Sequence, residues 1–228
     1  MCGRFTLFTS LKELTDRFGL DSFPVNVAPS YNIAPTQPVL TVRSMPGDNK
    51  QIQADFMRWG LIPAWAKDAS LGGRMINARS ETASEKPSFR SAFRKRRCLI
   101  LADGFYEWRK TPTGKQPVRI QMKGGRPFAF AGLWESWNNR EGGQIHSCTI
   151  LTMAANSFMK NIHDRMPLIL KKDNESKWLD SSRNDPEEIK EMIEELPNNY
   201  FESWDVSKLV NTASNNNPEC IEPEVRLL

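Results

Sequence analysis

Cys98-Leu99-Ile100-Leu101-Ala102-Asp103-Gly104-Phe105-Tyr106-Glu107-Trp108 is the strongest strand-forming run in the chain, an apolar and aromatic stretch without helical period. Working outward, similar short runs recur at Pro38 to Arg43, Ile52 to Trp59, Pro117 to Met122, Phe128 to Trp134 and Ile145 to Met153, punctuated by Gly and Pro. Helical crossovers between every pair are missing. A doubly wound parallel sheet is therefore disfavoured, and the texture predicts an α+β fold: mixed, mainly antiparallel sheets or a barrel with helices on the flank. One helix is expected where Ser10 and Glu13 form a capping box and Leu11, Leu14 and Phe18 follow at helical spacing up to Gly19. Asp185, Pro186 and Glu188 predict a second, with Ile189, Met192, Ile193 and Leu196 on its apolar face and Pro197 as its stop.

The 228 residues suit a single domain over residues 1–228, with a tail from about residue 207 packing on it. Net charge is only +4, but Phe89 to Arg97 carries Arg90, Arg94, Lys95, Arg96 and Arg97 without an acid, while Asp173 to Glu202 is biased the other way. Such asymmetry fits either a polyanion-binding face or merely solvated surface. Cys2, Cys98, Cys148 and Cys220 are widely spaced and only His146 and His163 could join them, so neither a metal site nor a cofactor is expected. No apolar run is long enough to span a membrane and no signal-peptide layout opens the chain. These features predict a cytoplasmic or nuclear protein with reduced thiols.

Chemistry concentrates at a few positions. In Met1-Cys2-Gly3-Arg4-Phe5, removal of Met1 would leave Cys2 with an α-amine and a thiol on adjacent carbons, a 1,2-aminothiol able to trap an aldehyde. The alternative is an ordinary buried small residue. Glu107, between aromatic side chains that exclude water, fits a general acid and base, or else the exposed end of a strand. His163 beside Asp164 fits a proton shuttle or a surface histidine. Asn77 could hold a substrate hydroxyl and Arg79 a phosphate, against a plain turn. Trp59 and Trp65 bracket Gly60 to Ala64 and offer a flat face for a nucleobase, or else serve as core.

Met1 to Phe5, Arg58-Trp59-Gly60-Leu61-Ile62-Pro63, Asn77-Ala78-Arg79-Ser80-Glu81, Gly104 to Trp108 and His163-Asp164-Arg165-Met166-Pro167, in that order, resemble the SOS-response-associated peptidase (SRAP) family of abasic-site shielding proteins. The resemblance also takes in Val210-Asn211. It implies antiparallel sheets closed into a barrel-like core with flanking helices, and a DNA-damage function: a monomer, associated with the nucleoid in a bacterium, that binds abasic sites in single-stranded DNA. By motif position, Cys2 is implied as covalent nucleophile, Glu107 as acid and base, His163 as a second proton-transfer group, and Asn77 as the residue that orients Cys2 or the sugar. Arg4, Arg79 and Arg165 fall where the family contacts phosphates, and Trp65 where an aromatic stacks beside the lesion. The expected product is a thiazolidine crosslink, with lyase-like nicking where the ring fails to close. "Peptidase" is taken to mean removal of what precedes Cys2. Two other readings remain open at this point: a cysteine peptidase using Cys2, His163 and Glu107 or Asn77, and a non-catalytic single-strand-binding module.

Overall fold

A computed structural model describes residues 2–20, 22–23, 27–45, 48–139 and 141–224. Met1, whose removal the N-terminal reading requires, lies outside them. Arg4–Leu7 forms the first strand, β1. Helix α1 (Leu11–Phe18) starts as expected: the Ser10 hydroxyl accepts from the Glu13 amide at 3.2 Å, and Gly19 closes the helix at φ 65°. Strands β2 (Ser30–Ile33), β3 (Pro38–Met45) and β4 (Asp48–Trp59) follow. Strand β5 (Asn77–Arg79) runs straight into α2 (Ser80–Ala83), and α3 (Arg90–Lys95) comes next. Then come β6 (Arg97–Ala102), β7 (Gly104–Thr111), β8 (Gly114–Met122), β9 (Phe128–Asn138) and β10 (Gln144–Ala154). The chain finishes with β11 (Arg165–Pro167), α4 (Lys172–Leu179), α5 (Pro186–Lys190) and β12 (Phe201–Asp205).

The fold is α+β. Strand β10 pairs antiparallel with β9 and parallel with β4, while β4, β3, β6 and β9 are successive antiparallel neighbours, so these strands close into a mixed barrel. The far half of β10 carries β5 and β11. A second sheet, ordered β12-β8-β7-β1-β2, is antiparallel throughout. Its inner face presents Phe5, Phe105, Val118 and Ile120, all fully buried. Phe5 meets Trp59 edge-on at 5.1 Å and Phe130 at 5.6 Å, joining the sheet to the barrel wall. The outer face lies under residues 206–223: the Tyr106 hydroxyl donates to the carbonyls of Tyr31 at 2.7 Å and Cys220 at 3.3 Å, and Val206 bridges to Pro223.

The run from Cys98 to Trp108 is not one strand. It breaks at Asp103, with β6 in the barrel and β7 in the open sheet. Asp103 is 1% exposed and its carboxylate accepts from the Thr6 hydroxyl at 2.5 Å, the amides of Phe8 at 2.6 Å and Thr9 at 2.9 Å, and the Thr9 hydroxyl at 2.9 Å. Arg119 lies 3.8 Å away on β8. Gly104 is required beside them, since a Cβ there would sit 2.7 Å from the Arg119 guanidinium.

Three other expectations change. The second helix ends at Lys190, well before Pro197. Beyond it Glu191, Glu194 and Glu195 place negative charge where the helix dipole is already negative, and Lys171 draws Glu194 into an ion pair. Helix α4 had no apolar stripe to announce it, because it buries Asn174 and Glu175 along with Trp178 and Leu179; Arg17 of α1 holds Glu175 by two bonds of 2.6 and 2.8 Å. Within the basic run, Arg97 is buried and spends its guanidinium on the carbonyls of Trp178, Phe93, Arg94, Asp180 and Arg183 at 2.5 to 3.0 Å, and Arg96 pairs with Glu135 at 2.6 Å. The run is thus partly a structural clamp. Among the described residues, no helix is long and apolar enough to cross a membrane.

Replacing Asp103 by Ala would strand buried donors and the Arg119 charge at once. The expected cost is about 3–5 kcal/mol, with Asp103→Asn milder, read as the shift in the guanidinium unfolding midpoint. A midpoint unchanged in Asp103→Ala would contradict this account of the junction.

Candidate active site around Cys2

The antiparallel register of β1 on β7, Arg4 opposite Tyr106 and Phe5 opposite Phe105, points the start of the chain toward Glu107 and Trp108. On the inner face the row Phe105, Val118, Ile120 is continued by Glu107, a carboxyl set where the core would otherwise go on. Glu107 is 2% exposed, and this burial raises its pKa, an effect that the nearness of His163 reduces. Cys2 is fully buried as well. Desolvation pushes its thiol well up, and the neighbouring Glu107 carboxyl pushes it further the same way.

Asn77 comes from β5, which pairs in parallel with the far half of β10. Its Nδ2 donates to the Cys2 carbonyl at 2.8 Å, whereas its Oδ1 is buried and has no hydrogen-bond partner among the described residues. His163 sits just before β11. Its Nδ1 accepts from the Arg165 amide at 2.9 Å, so in the neutral ring the proton is assigned to Nε2. Its electrostatic neighbour is Glu107, and the adjacent Asp164 is exposed. Asn77 and Glu107, read separately from the sequence, thus meet at Cys2, and His163 is a neighbour of Glu107.

The positions assigned to DNA are less uniform. Arg79 is exposed, and among the described residues its side chain makes no hydrogen bond or ion pair. Arg4 donates to Asn32 Oδ1 at 2.9 Å, the Val210 carbonyl at 2.7 Å and the Asn211 carbonyl at 3.2 Å, which ties β1 to the C-terminal segment. Arg165 is held bidentate by Glu81 at 2.5 and 2.9 Å and also donates to the Thr152 carbonyl at 2.7 Å. Trp59 is core, its indole N–H on the Ile76 carbonyl at 2.9 Å, while Trp65 is 61% exposed. Trp65 flanks an open pocket of about 500 Å³ together with Lys67, Asp68, Ser70, Leu71 and Arg74. The loop carrying it is pinned by Gly60, whose φ of 125° and 2.5 Å clearance from Gly72 leave no room for a side chain. A larger hollow of about 610 Å³ lies between α1 and residues 169–173 and contains none of these residues. Among the described residues no group of three or more His, Cys, Asp or Glu is placed to hold a metal.

The sequence reading quoted Glu81 within a motif but gave it no role, and nothing in local spacing pairs it with an arginine 84 residues away. Trp108, whose indole donates to Asn211 Oδ1 at 2.7 Å, was missed likewise.

Residues 1–213 match the model of the family described as SOS response associated peptidase (SRAP). The abasic site processing protein YoqW of Bacillus subtilis is 47% identical over 225 residues, covering 97% of this chain and 99% of that protein. The abasic site processing protein HMCES of Xenopus tropicalis is 35% identical over 221 residues, covering 85% of this chain and 65% of its own length. A crystal structure of a protein from Bacteroides thetaiotaomicron superposes with a TM-score of 0.88 at 24% identity, over 98% of this chain and all of that one, which shows a shared fold.

A buried carboxyl with a raised pKa binds its proton more tightly in the folded than in the unfolded chain. Its contribution to stability is therefore full below the ordinary value of 4.5 and is lost as pH rises through the raised one. Stability of the native chain relative to Glu107→Gln should decline across that window when unfolding free energies are measured from acid to neutral pH. A difference that stays flat would contradict the burial effect.

Proposed function

Because this chain belongs to the SOS-response-associated peptidase family, we propose that, once Met1 is removed, it captures abasic sites in single-stranded DNA as a thiazolidine crosslink through Cys2. What carries the reading is the assembly around the second residue: Asn77 grips the Cys2 carbonyl, and Glu107 stands beside the thiol.

The open-chain sugar at an abasic site presents a C1′ aldehyde. The Cys2 α-amine adds to that carbon, and loss of water gives the imine. Glu107, whose pKa burial raises, is the acid that lends a proton to the departing oxygen. The thiol, with its pKa pushed up, stays protonated and acts second, adding to the imine carbon as its proton is taken up within the site. Ring closure removes the imine that would otherwise acidify the C2′ protons and promote strand cleavage. The unpartnered Asn77 Oδ1 is placed to accept from a sugar hydroxyl. The exposed Arg79 supplies a phosphate contact and Trp65 a stacking face, with Arg4 and Arg165 adding positive charge that is already partly committed within the protein. A cysteine peptidase fits less well, because it needs a readily formed thiolate and burial drives Cys2 the other way. The setting proposed is cytoplasmic, at the nucleoid in a bacterial cell, with the protein acting as a monomer.

Protein verified by mass to lack Met1, incubated with single-stranded DNA bearing one abasic site, should give a denaturation-resistant band without reductant, and Cys2→Ser should lose it. No band from the processed native protein would overturn the proposal, as would a stable band from Cys2→Ala. Binding measured on DNA with a non-reactive abasic analogue should weaken with salt, and Arg79→Ala should flatten the log–log salt slope by about 0.7.

A further inference from the structure

Strands β5 and β11 contain only three residues each; β5 carries Asn77, and His163 lies two residues before β11. Both strands hang on β10 at one residue: Thr152 lies opposite Arg79 of β5 and opposite Pro167 of β11. Pairings this short fix spacing poorly. A side-chain clasp bridges them. Arg165, at the start of β11, reaches Glu81 in α2, immediately beyond β5, through the bidentate bonds of 2.5 and 2.9 Å. The same guanidinium donates to the Thr152 carbonyl at 2.7 Å and hydroxyl at 3.2 Å, and that hydroxyl donates to the Ala78 carbonyl at 3.4 Å. Finally, the Arg165 amide donates to His163 Nδ1 at 2.9 Å, so wherever the guanidinium seats Arg165, the imidazole is seated too.

We infer that Glu81 is a positioning residue: acting through Arg165, it sets the tautomer and placement of His163 relative to Glu107 and Cys2. The inference rests on the crosslinking reading given above. The geometry favours it over a simple surface ion pair. A planar fork held by two groups constrains direction as well as distance, and although the Glu81 side chain is 49% exposed, that of Arg165 is largely enclosed at 18%. With its outer nitrogens occupied by Glu81 and Thr152, Arg165 has little left to offer a phosphate, so its main work lies within the protein.

The test compares native protein with Glu81→Gln, Glu81→Asp, Arg165→Lys and the Glu81→Gln/Arg165→Lys double variant, each checked for folding by thermal melting. Single-turnover crosslinking to abasic single-stranded DNA is followed across pH, and affinity is measured separately on DNA carrying the non-reactive analogue. Glu81→Gln should slow crosslinking about tenfold or more and change the pH profile while affinity and salt slope hold within about twofold. Glu81→Asp should recover part of the rate, and the double variant should be no slower than the worse single one, since both substitutions break one clasp. In ¹⁵N spectra of the free protein, native His163 should show the Nε2-protonated form and Glu81→Gln a mixture. Native-like rates and spectra in Glu81→Gln would overturn the inference, as would a loss of affinity with an unchanged rate constant, which would make the pair a DNA contact. If the native protein itself formed no crosslink, the proposed function would fail instead, and the nitrogen spectra would still decide the role of Glu81.

Discussion

The carboxylate of Asp103 accepts from Thr6, Phe8 and Thr9 and faces Arg119, which gives the buried donors at the corner a common acceptor where the chain leaves the barrel at Ala102 and enters the open sheet at Gly104. Everything at the candidate site is measured from that crossing. It locks β1 onto β7 with Thr6 opposite Gly104, and this register carries the start of the chain toward Glu107. A slip of one residue would turn Glu107 off the inner face and Phe105 with it. The arginine facing the carboxylate is itself enclosed, 5.6 Å from the Phe8 ring just past β1 and 5.2 Å from that of Trp204 in β12, so the junction is tied to both segments.

What the sequence discloses, and what it withholds, follows the range of the interaction concerned. Helix α1 is legible because its signals lie within ten residues: a hydroxyl at the N-cap, a glycine at the far end, apolar side chains between. The strand runs are legible by their texture. The break at Asp103 is not, since an aspartate between two apolar stretches becomes a corner only when a distant strand supplies the donors. Arg97 reads as one more basic residue until five carbonyls from three parts of the chain close round it. Helix α4 stays hidden for the same reason, its buried polar residues finding partners far along the chain, Glu175 in Arg17 of α1 and Asn174 in Met192 and Glu194. At the site, the motif residues Asn77, Glu107 and His163 are visible as polar groups out of place among apolar neighbours; Asn77 and Glu107 meet at Cys2, and His163 neighbours Glu107. The link from Glu81 to Arg165 carries no such local mark.

Burial at this site acts on two acids together. Burial raises the pKa of both Glu107 and the Cys2 thiol, and the Glu107 carboxyl pushes the thiol further up, while His163 acts on Glu107 the other way. Burial thus favours the protonated form of each. In the proposed reaction that arrangement matches the proton count. An aldehyde, an amine and a thiol combine to a thiazolidine and one water, with no net gain or loss of protons. The proton that Glu107 lends when water departs is matched by the one the thiol gives up as the ring closes, and the carboxylate left by the first step is the base that receives the second. A thiol ionised from the start would compete with the amine for the aldehyde and would repel the carboxylate that must later take its proton. In the proposed reaction, a thiol kept neutral until the imine exists avoids both conflicts, and burial of Cys2 favours that neutral form.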